Sequence, residues 1–285
     1  MASPRHFEST AGIMLVNPRL HDPTSQNADT FERWTKLHFR DLLTDLSDPE
    51  HSGSHVTRTL RFVASDVNSK YGHGAGTESQ YLYTIRTLHI PVFRTPSYYA
   101  ISRRLDLENT RNLLDGEEEV GCEEGSMVWD IVNASFSIFE EADTGSDIPA
   151  YSNLPAANGS VDGIRLIGIG LNGLGDHGVK ALFGGLLHYL KSNTGEGLQL
   201  YASLYHNVGA DAQPDMHPRI SADVVGGAEW LFLAAIEFPY SEDEKLEDRV
   251  AKWVDEARGV GKDGVSEYRI NFGVWSREVD MARSE

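Results

Sequence analysis

The chain repeats one order of predicted elements in its two halves, and this repetition constrains the fold more than any single motif. Hydrophobic periodicity predicts strand–helix–strand–strand–helix–strand over residues 12–143 and again over residues 163–276. Residues 144–162 between the halves are rich in Gly, Ser, Asn, Pro and Ala, which is typical of a linker. The sequence therefore predicts two modules joined by a linker.

Each predicted module has a four-stranded sheet with helices on one face, so the other face is left bare. Packing the two bare faces together would bury both and enclose a cavity. The predicted fold class is therefore α+β, with two βαββαβ modules packed as an intramolecular dimeric α/β barrel. In the second strand, Leu60 and Phe62 are expected under the helices. That orientation turns Thr59 and Arg61 toward the lumen.

The first predicted helix, residues 29–46, carries a histidine in the middle of its apolar face. Five residues fall on one stripe at helical spacing, namely Phe31, Trp34, His38, Leu42 and Leu46. Asp29 and Glu32 have the spacing of a capping box at the start of this helix. An imidazole set among aromatic side chains is suited to acid–base catalysis. The alternative is a core histidine whose nitrogens are satisfied by the backbone.

The composition excludes several classes of function. Lys and Arg number 25 against 43 Asp and Glu, a net charge of −18, which opposes binding to nucleic acid or to an anionic membrane. Cys122 is the single cysteine, so an internal disulfide and a cysteine-based zinc site are excluded. The start of the chain lacks the apolar core of a signal peptide, and no apolar run is long enough to span a bilayer. A cytoplasmic location is expected.

Three cofactor hypotheses, a dinucleotide, a metal ion and haem, have weak support. Gly168, Gly170 and Gly173 have the spacing of a dinucleotide-binding loop, but no acidic residue ends a following parallel strand, so a strand-to-helix turn is the better interpretation. The eleven histidines are scattered, without a metal-ligand pattern on rigid elements. His188 lies opposite the apolar stripe of its helix, which disfavours haem. We therefore expect no cofactor and no metal.

Short motifs in the first half resemble those of EthD-type proteins, members of the ferredoxin-like dimeric α/β-barrel superfamily. The residues that carry the resemblance are Val16-Asn17, Asp22-Pro23, Phe31, Trp34 and His38, followed by Thr57–Phe62 and Tyr81–Tyr83. The resemblance covers residues 12–143, and the second half matches only in its order of elements. The usual His-x-Pro is His38-Phe-Arg here, so the helix is expected to continue past the histidine.

The resemblance implies a cavity for a flat, apolar, phenolic ligand, since relatives include decarboxylases, cyclases and cofactor-independent monooxygenases of aromatic polyketides. The hypothesis is an enzyme of secondary metabolism, a decarboxylase or cyclase, in which His38 is the general base and Arg61 holds the oxyanion. Five further residues are predicted to bind the substrate: Asn17, Trp34, Tyr81, Tyr83 and Tyr99.

Two alternatives stay open. One is a cofactor-free monooxygenase or other oxidoreductase acting on the same substrates. The other is a non-catalytic small-molecule-binding or stress-associated protein in which His38 is structural. The second half has Leu186 at the position that corresponds to His38. The first half would therefore be catalytic, and the second would form a wall of the cavity. A homodimer is compatible with the sequence.

Overall fold

The computed structural model describes residues 10–48, 53–64, 80–106, 113–156, 164–193, 199–209, 218–237, 244–260 and 269–282. The α-helices are α1 (Ser25–Asp45), α2 (Pro96–Ala100), α3 (Asp176–Asn193) and α4 (Glu244–Val260). The strands are β1 (Gly12–Leu20), β2 (Ser47–Asp48), β3 (Gly53–Ser54), β4 (Val56–Ala64), β5 (Tyr81–Thr87), β6 (Val132–Ala142), β7 (Ile164–Asn172), β8 (Gln199–Asn207), β9 (Trp230–Glu237) and β10 (Arg269–Ala282).

Eight of these strands close into one antiparallel barrel in the order β1-β5-β4-β10-β7-β9-β8-β6, and β2 pairs with β3 apart from it. The first half contributes β6-β1-β5-β4 and the second β10-β7-β9-β8, so both halves place their strands in the order fourth, first, third, second. Antiparallel pairs β4–β10 and β6–β8 join the halves. The fold is α+β with a closed barrel, while the ferredoxin-like character of each half stays a prediction.

The barrel interior is filled by apolar side chains from all eight strands, including Trp275 and Phe139. Leu60 and Phe62 belong to this interior cluster. Arg61 alternates to the outer face of the barrel, where its guanidinium lies 5.6 Å from the ring of Phe31 on α1. The predicted orientation of β4 was therefore inverted. A closed barrel shields its interior from water on all sides, so the interior takes the large apolar side chains of the strand.

Two more apolar layers lie outside the barrel, one beneath α1 and one beneath α3 and α4. The stripe predicted for α1 is confirmed, because Phe31, Trp34, Leu42 and Leu46 are buried. The helix begins earlier than expected, however. Thr24 caps it by accepting a hydrogen bond from the backbone N–H of Asn27, so the predicted capping box was wrong.

The segment after β5 departs from the predicted helix, which was expected to run from Pro96 to about Leu107. Helix α2 ends at Ala100, and Leu105 N–H then donates to the carbonyl of Ser126 at 2.7 Å. The backbone after Ala100 thus pairs with the segment that precedes β6 instead of continuing as the predicted helix. Residues 127–131 precede β6 as a 3₁₀ turn, where a strand was expected. This turn supplies part of the candidate site.

The described part of the predicted linker, residues 144–156, packs on one end of the barrel. Tyr151 is buried in the interior cluster, and its hydroxyl lies 3.1 Å from that of Thr84. Arg58 binds the carbonyl of Leu154, and Arg86 binds that of Ser152 at 2.8 Å. These contacts tie the linker to β4 and β5 of the first half. The division of the chain into two domains stays a prediction.

The glycine motif of β7 has a packing role. A Cβ on Gly168 would lie 2.9 Å from the ring of Trp275, and one on Gly170 would lie 2.8 Å from the Cβ of Ala228. Both neighbours of β7 are antiparallel to it, whereas a dinucleotide loop opens a parallel unit. Within the described ranges, none of the helices combines the length and apolar character that a membrane crossing requires.

Two glycine substitutions are expected to change stability in opposite directions. Gly12→Ala would place Cβ against the backbone oxygen of Phe139, closer than van der Waals contact allows, so we expect a loss of about 1–3 kcal/mol in unfolding free energy. Gly184→Ala on α3 meets nothing within 4 Å and should gain about 0.5–1 kcal/mol. Urea unfolding measures the change in unfolding free energy for both variants. A Gly12→Ala variant as stable as Gly184→Ala would contradict the close approach of Gly12 on β1 to Phe139.

Candidate active site

The candidate site is a cavity of about 50 Å³ outside the barrel, between α1 and the outer face of β1, β5 and β6. This cavity is therefore not the one that the sequence predicts between the two sheets. The lining is mostly apolar and aromatic. It consists of Met14, Val16, Pro18, Phe31, Trp34, His38, Phe39, Leu42, Tyr83, Ile85, Tyr98, Arg103, Val128, Trp129, Val132, Ala134 and Phe136.

The floor of the cavity follows from strand register. Val16 on β1 lies opposite Tyr83 on β5 and Phe136 on β6. Pro18 lies opposite Ala134 in the same way. Since successive side chains of a strand alternate between faces, these residues share the outer face of the sheet. The floor is therefore apolar except for the Tyr83 hydroxyl.

The roof is a row of rings on α1. Phe31 and Trp34 are stacked with centroids 5.8 Å apart, and Trp34 stacks on His38 at 4.5 Å with an interplanar angle of 13°. Spacings of three and four residues place these rings on one helix face. His38 is half-buried. The stack fixes the plane of the imidazole at the edge of the cavity.

Two segments distant in sequence form the rim. Thr95 caps α2 and so orients Tyr98, whose hydroxyl lies 3.7 Å from Met14 Sδ. Arg103 stacks on the Tyr98 ring at 5.0 Å. Trp129, whose carbonyl lies 3.1 Å from His21 Nε2, is 41% exposed. Trp129 is thus the lining residue most open to solvent among the large apolar ones.

Burial controls the protonation of the two cavity tyrosines. It raises the pKa of Tyr98 to about 12, against the opposing effect of Arg103. Burial also raises the pKa of Tyr83, whose hydroxyl lies 2.7 Å from that of Thr35. Both phenols therefore keep their protons at neutral pH and can donate hydrogen bonds. Histidine is the side chain suited to exchange protons near neutrality.

The structure brings three of the predicted site residues to one cavity: His38, Trp34 and Tyr83. Asn17 falls on the opposite face of β1, since Val16 and Pro18 line the cavity. Tyr99 is outside the lining and 36% exposed.

Arg61 and Tyr81 lie beneath α1 but outside the cavity lining. Arg61 is 1% exposed, and its guanidinium lies 4.4 Å from the Tyr81 ring. Its Nε is 2.9 Å from Glu278 Oε2, and its Nη1 is 3.9 Å from Glu32 Oε2. The guanidinium is thus held between acidic and aromatic side chains of the protein.

Sequence reasoning missed Arg103, Tyr98 and Trp129 as site residues. Tyr98 had a weak signal, because Thr95-Pro96 marks the start of a short helix. The other two reach the cavity from irregular segments whose path is set by contacts distant in sequence. Among the described residues, no cluster of three or more His, Cys, Asp or Glu side chains is placed to hold a metal ion.

No family model matches the sequence, and no curated protein matches it. Among solved structures, the chain is similar to a monooxygenase-like protein from Fusobacterium nucleatum, with 8% identity and a TM-score of 0.49 over 96% of this chain and 95% of that one. It is also similar to a chlorite dismutase-like protein, with 11% identity and a TM-score of 0.47 over 95% of this chain and 96% of that one. A third similar structure is an anthrone oxidase-like protein, with 9% identity and a TM-score of 0.46 over 96% of this chain and 94% of that one. Similarities this distant assign no reaction.

Proposed function

We propose that this protein is a small-molecule enzyme in which His38 acts as a general base on a phenolic or enolic substrate bound beneath α1. The position of the imidazole carries this proposal. His38 is half-buried, stacks on Trp34 and lines an apolar cavity beside two protonated tyrosines. A base that faces such a cavity can remove a proton from a ligand held away from bulk water.

The proposed first step moves one proton from the O–H or acidic C–H of the substrate to the His38 imidazole. The Tyr98 hydroxyl would donate a hydrogen bond to the oxyanion that results. Trp34 would hold the imidazole plane, and the apolar floor would position the ring of the substrate. In this proposal Arg61 stabilises the fold, since it lies outside the cavity lining.

Decarboxylation, cyclisation and direct reaction with oxygen can all follow this first step. We therefore extend the proposal to an EthD-like lyase, cyclase or cofactor-free oxidoreductase. A phenolic substrate with one aromatic ring suits the small cavity better than a large polyketide.

The proposed base can be tested by proton exchange at an enolisable carbon. Wild-type protein in D₂O should accelerate deuterium incorporation into 2-indanone or phenylacetone, measured by NMR, and His38→Gln should lose the acceleration. His188→Gln is the matched control, because His188 is exposed on α3 in the other half. Equal exchange rates for wild type and His38→Gln would contradict the proposal.

A further inference from the structure

The cavity has one permanently charged residue in its lining, Arg103, and no carboxylate. A cation at the edge of an apolar cavity attracts an anion, because an apolar surrounding screens charge less than water does, and hydrogen bonds to neutral carbonyl groups leave the positive charge in place. No aspartate or glutamate among the described residues is within ion-pair distance of Arg103. The cavity is therefore complementary to an anion.

The structure fixes Arg103 in place before any ligand binds. Its Nη1 donates to the backbone carbonyls of Tyr98 at 2.9 Å, Tyr99 at 3.2 Å and Ile101. Its own carbonyl accepts from Val128 N–H at 2.8 Å, which ties it to the other rim segment. All three bonds use Nη1, which carries two of the five N–H groups of a guanidinium, so at least one N–H is shared between two carbonyls. The three N–H groups of Nε and Nη2 take no part in these bonds, so they can serve the interaction of Arg103 with the Tyr98 side chain and a bound group.

We infer that the cavity takes ligands with an apolar body and one anionic group, a carboxylate or a phenolate, and that Arg103 binds that group. This inference rests on the proposed function and specifies its substrate class. Arg103 would supply the charge-assisted hydrogen bonds, which are stronger than those between neutral groups. It takes the role that sequence reasoning had assigned to Arg61.

The ligand must widen the cavity to enter. A protein cavity that binds benzene measures about 150 Å³, whereas this one measures about 50 Å³. Trp129 is the side chain that can yield, because it is 41% exposed while the neighbouring Val128 is buried. Its backbone is held by the contact between its carbonyl and His21. We therefore expect one-ring anions to be the best ligands.

Benzoate and its neutral isostere benzamide test the inference, with binding followed by calorimetry and by the fluorescence of Trp34 and Trp129. Wild type should prefer benzoate by about 10-fold or more, the range expected for a hydrogen bond to a charged group. Arg103→Gln should reduce the preference to within about twofold. Arg103→Lys, which keeps the charge but not the fork geometry, should retain part of it.

Two further variants make the outcome decisive. Arg33→Gln removes a positive charge on α1 outside the cavity and should leave the preference unchanged. Ala134→Leu fills the cavity floor and should abolish benzoate binding. Equal binding of benzoate and benzamide by wild type, or an unchanged preference in Arg103→Gln, would overturn the inference. If Arg103→Gln does not fold, the inference is tested by comparing the benzoate preference of wild type with that of Arg103→Lys. Benzoate preference without His38-dependent exchange would instead refute only the proposed function.

Discussion

Replacing His38 with alanine or glutamine is expected to lower the rate of the catalysed reaction by about 10²–10⁴-fold, the usual contribution of a general base. The fold should survive, because the corresponding position of the second half is Leu186, which lies on the buried face of α3. His38→Leu is therefore the matched structural variant. It should unfold near the wild-type urea concentration while losing the rate.

The pH profile separates a chemical role of His38 from a packing role. A general base gives a limb of kcat/KM that rises with pH through the titration of the imidazole, and this limb should vanish in His38→Gln. A packing role predicts that His38→Leu keeps the rate and that the limb persists. Undiminished turnover in His38→Leu would make His38 a packing residue and would contradict its role as the general base.

Strong periodicity made much of the architecture predictable. The α1 stripe repeats at helical spacing from Phe31 to Leu46, and its apolar members are buried. Strand existence followed from alternation and from Gly and Pro boundaries. The repeated order of elements in the two halves then led to a barrel. These signals are local, so one sequence was enough to find them.

The facing of β4 could not be predicted, because both of its faces are buried. Leu60 and Phe62 enter the interior, while Thr59 and Arg61 are covered on the outside, so polarity does not mark a solvent side. The rim of the site depends on contacts between segments distant in sequence, such as Arg103 with Val128. No local pattern encodes such contacts. Arg103 therefore had no signal in the sequence, and the role of binding the oxyanion was assigned to Arg61 instead.

Arg61→Met is expected to destabilise the protein by about 3 kcal/mol at neutral pH, because breaking a buried ion pair leaves its partner uncompensated. The partner is Glu278, whose carboxylate lies 2.9 Å from Arg61 Nε. Glu278 has 34% of its side chain exposed, which holds the expected loss at the lower end of the range for buried pairs. Methionine keeps the apolar stem of the arginine, so lost packing is minimised.

The loss should depend on pH in a defined direction. Burial raises the pKa of Glu278, and Arg61 opposes that rise. A carboxyl whose pKa is raised by folding stabilises the folded state below its ordinary value of 4.5, and this contribution is lost as pH increases through the folded value. Without Arg61 the folded pKa rises further. Arg61→Met should therefore be closest to wild type near pH 4 and furthest from it near pH 7.

The Arg61 variants also decide between a structural and a catalytic role for this residue. Adding Glu278→Gln to Arg61→Met removes the uncompensated carboxylate and should recover part of the unfolding free energy at pH 7, measured by urea denaturation. The folded Arg61→Met protein should keep kcat/KM within a few-fold of wild type, since the guanidinium lies outside the cavity lining. A large loss of rate at unchanged stability would instead make Arg61 the oxyanion partner. That result would require α1 to move so that the cavity extends past Phe31 to the guanidinium behind it.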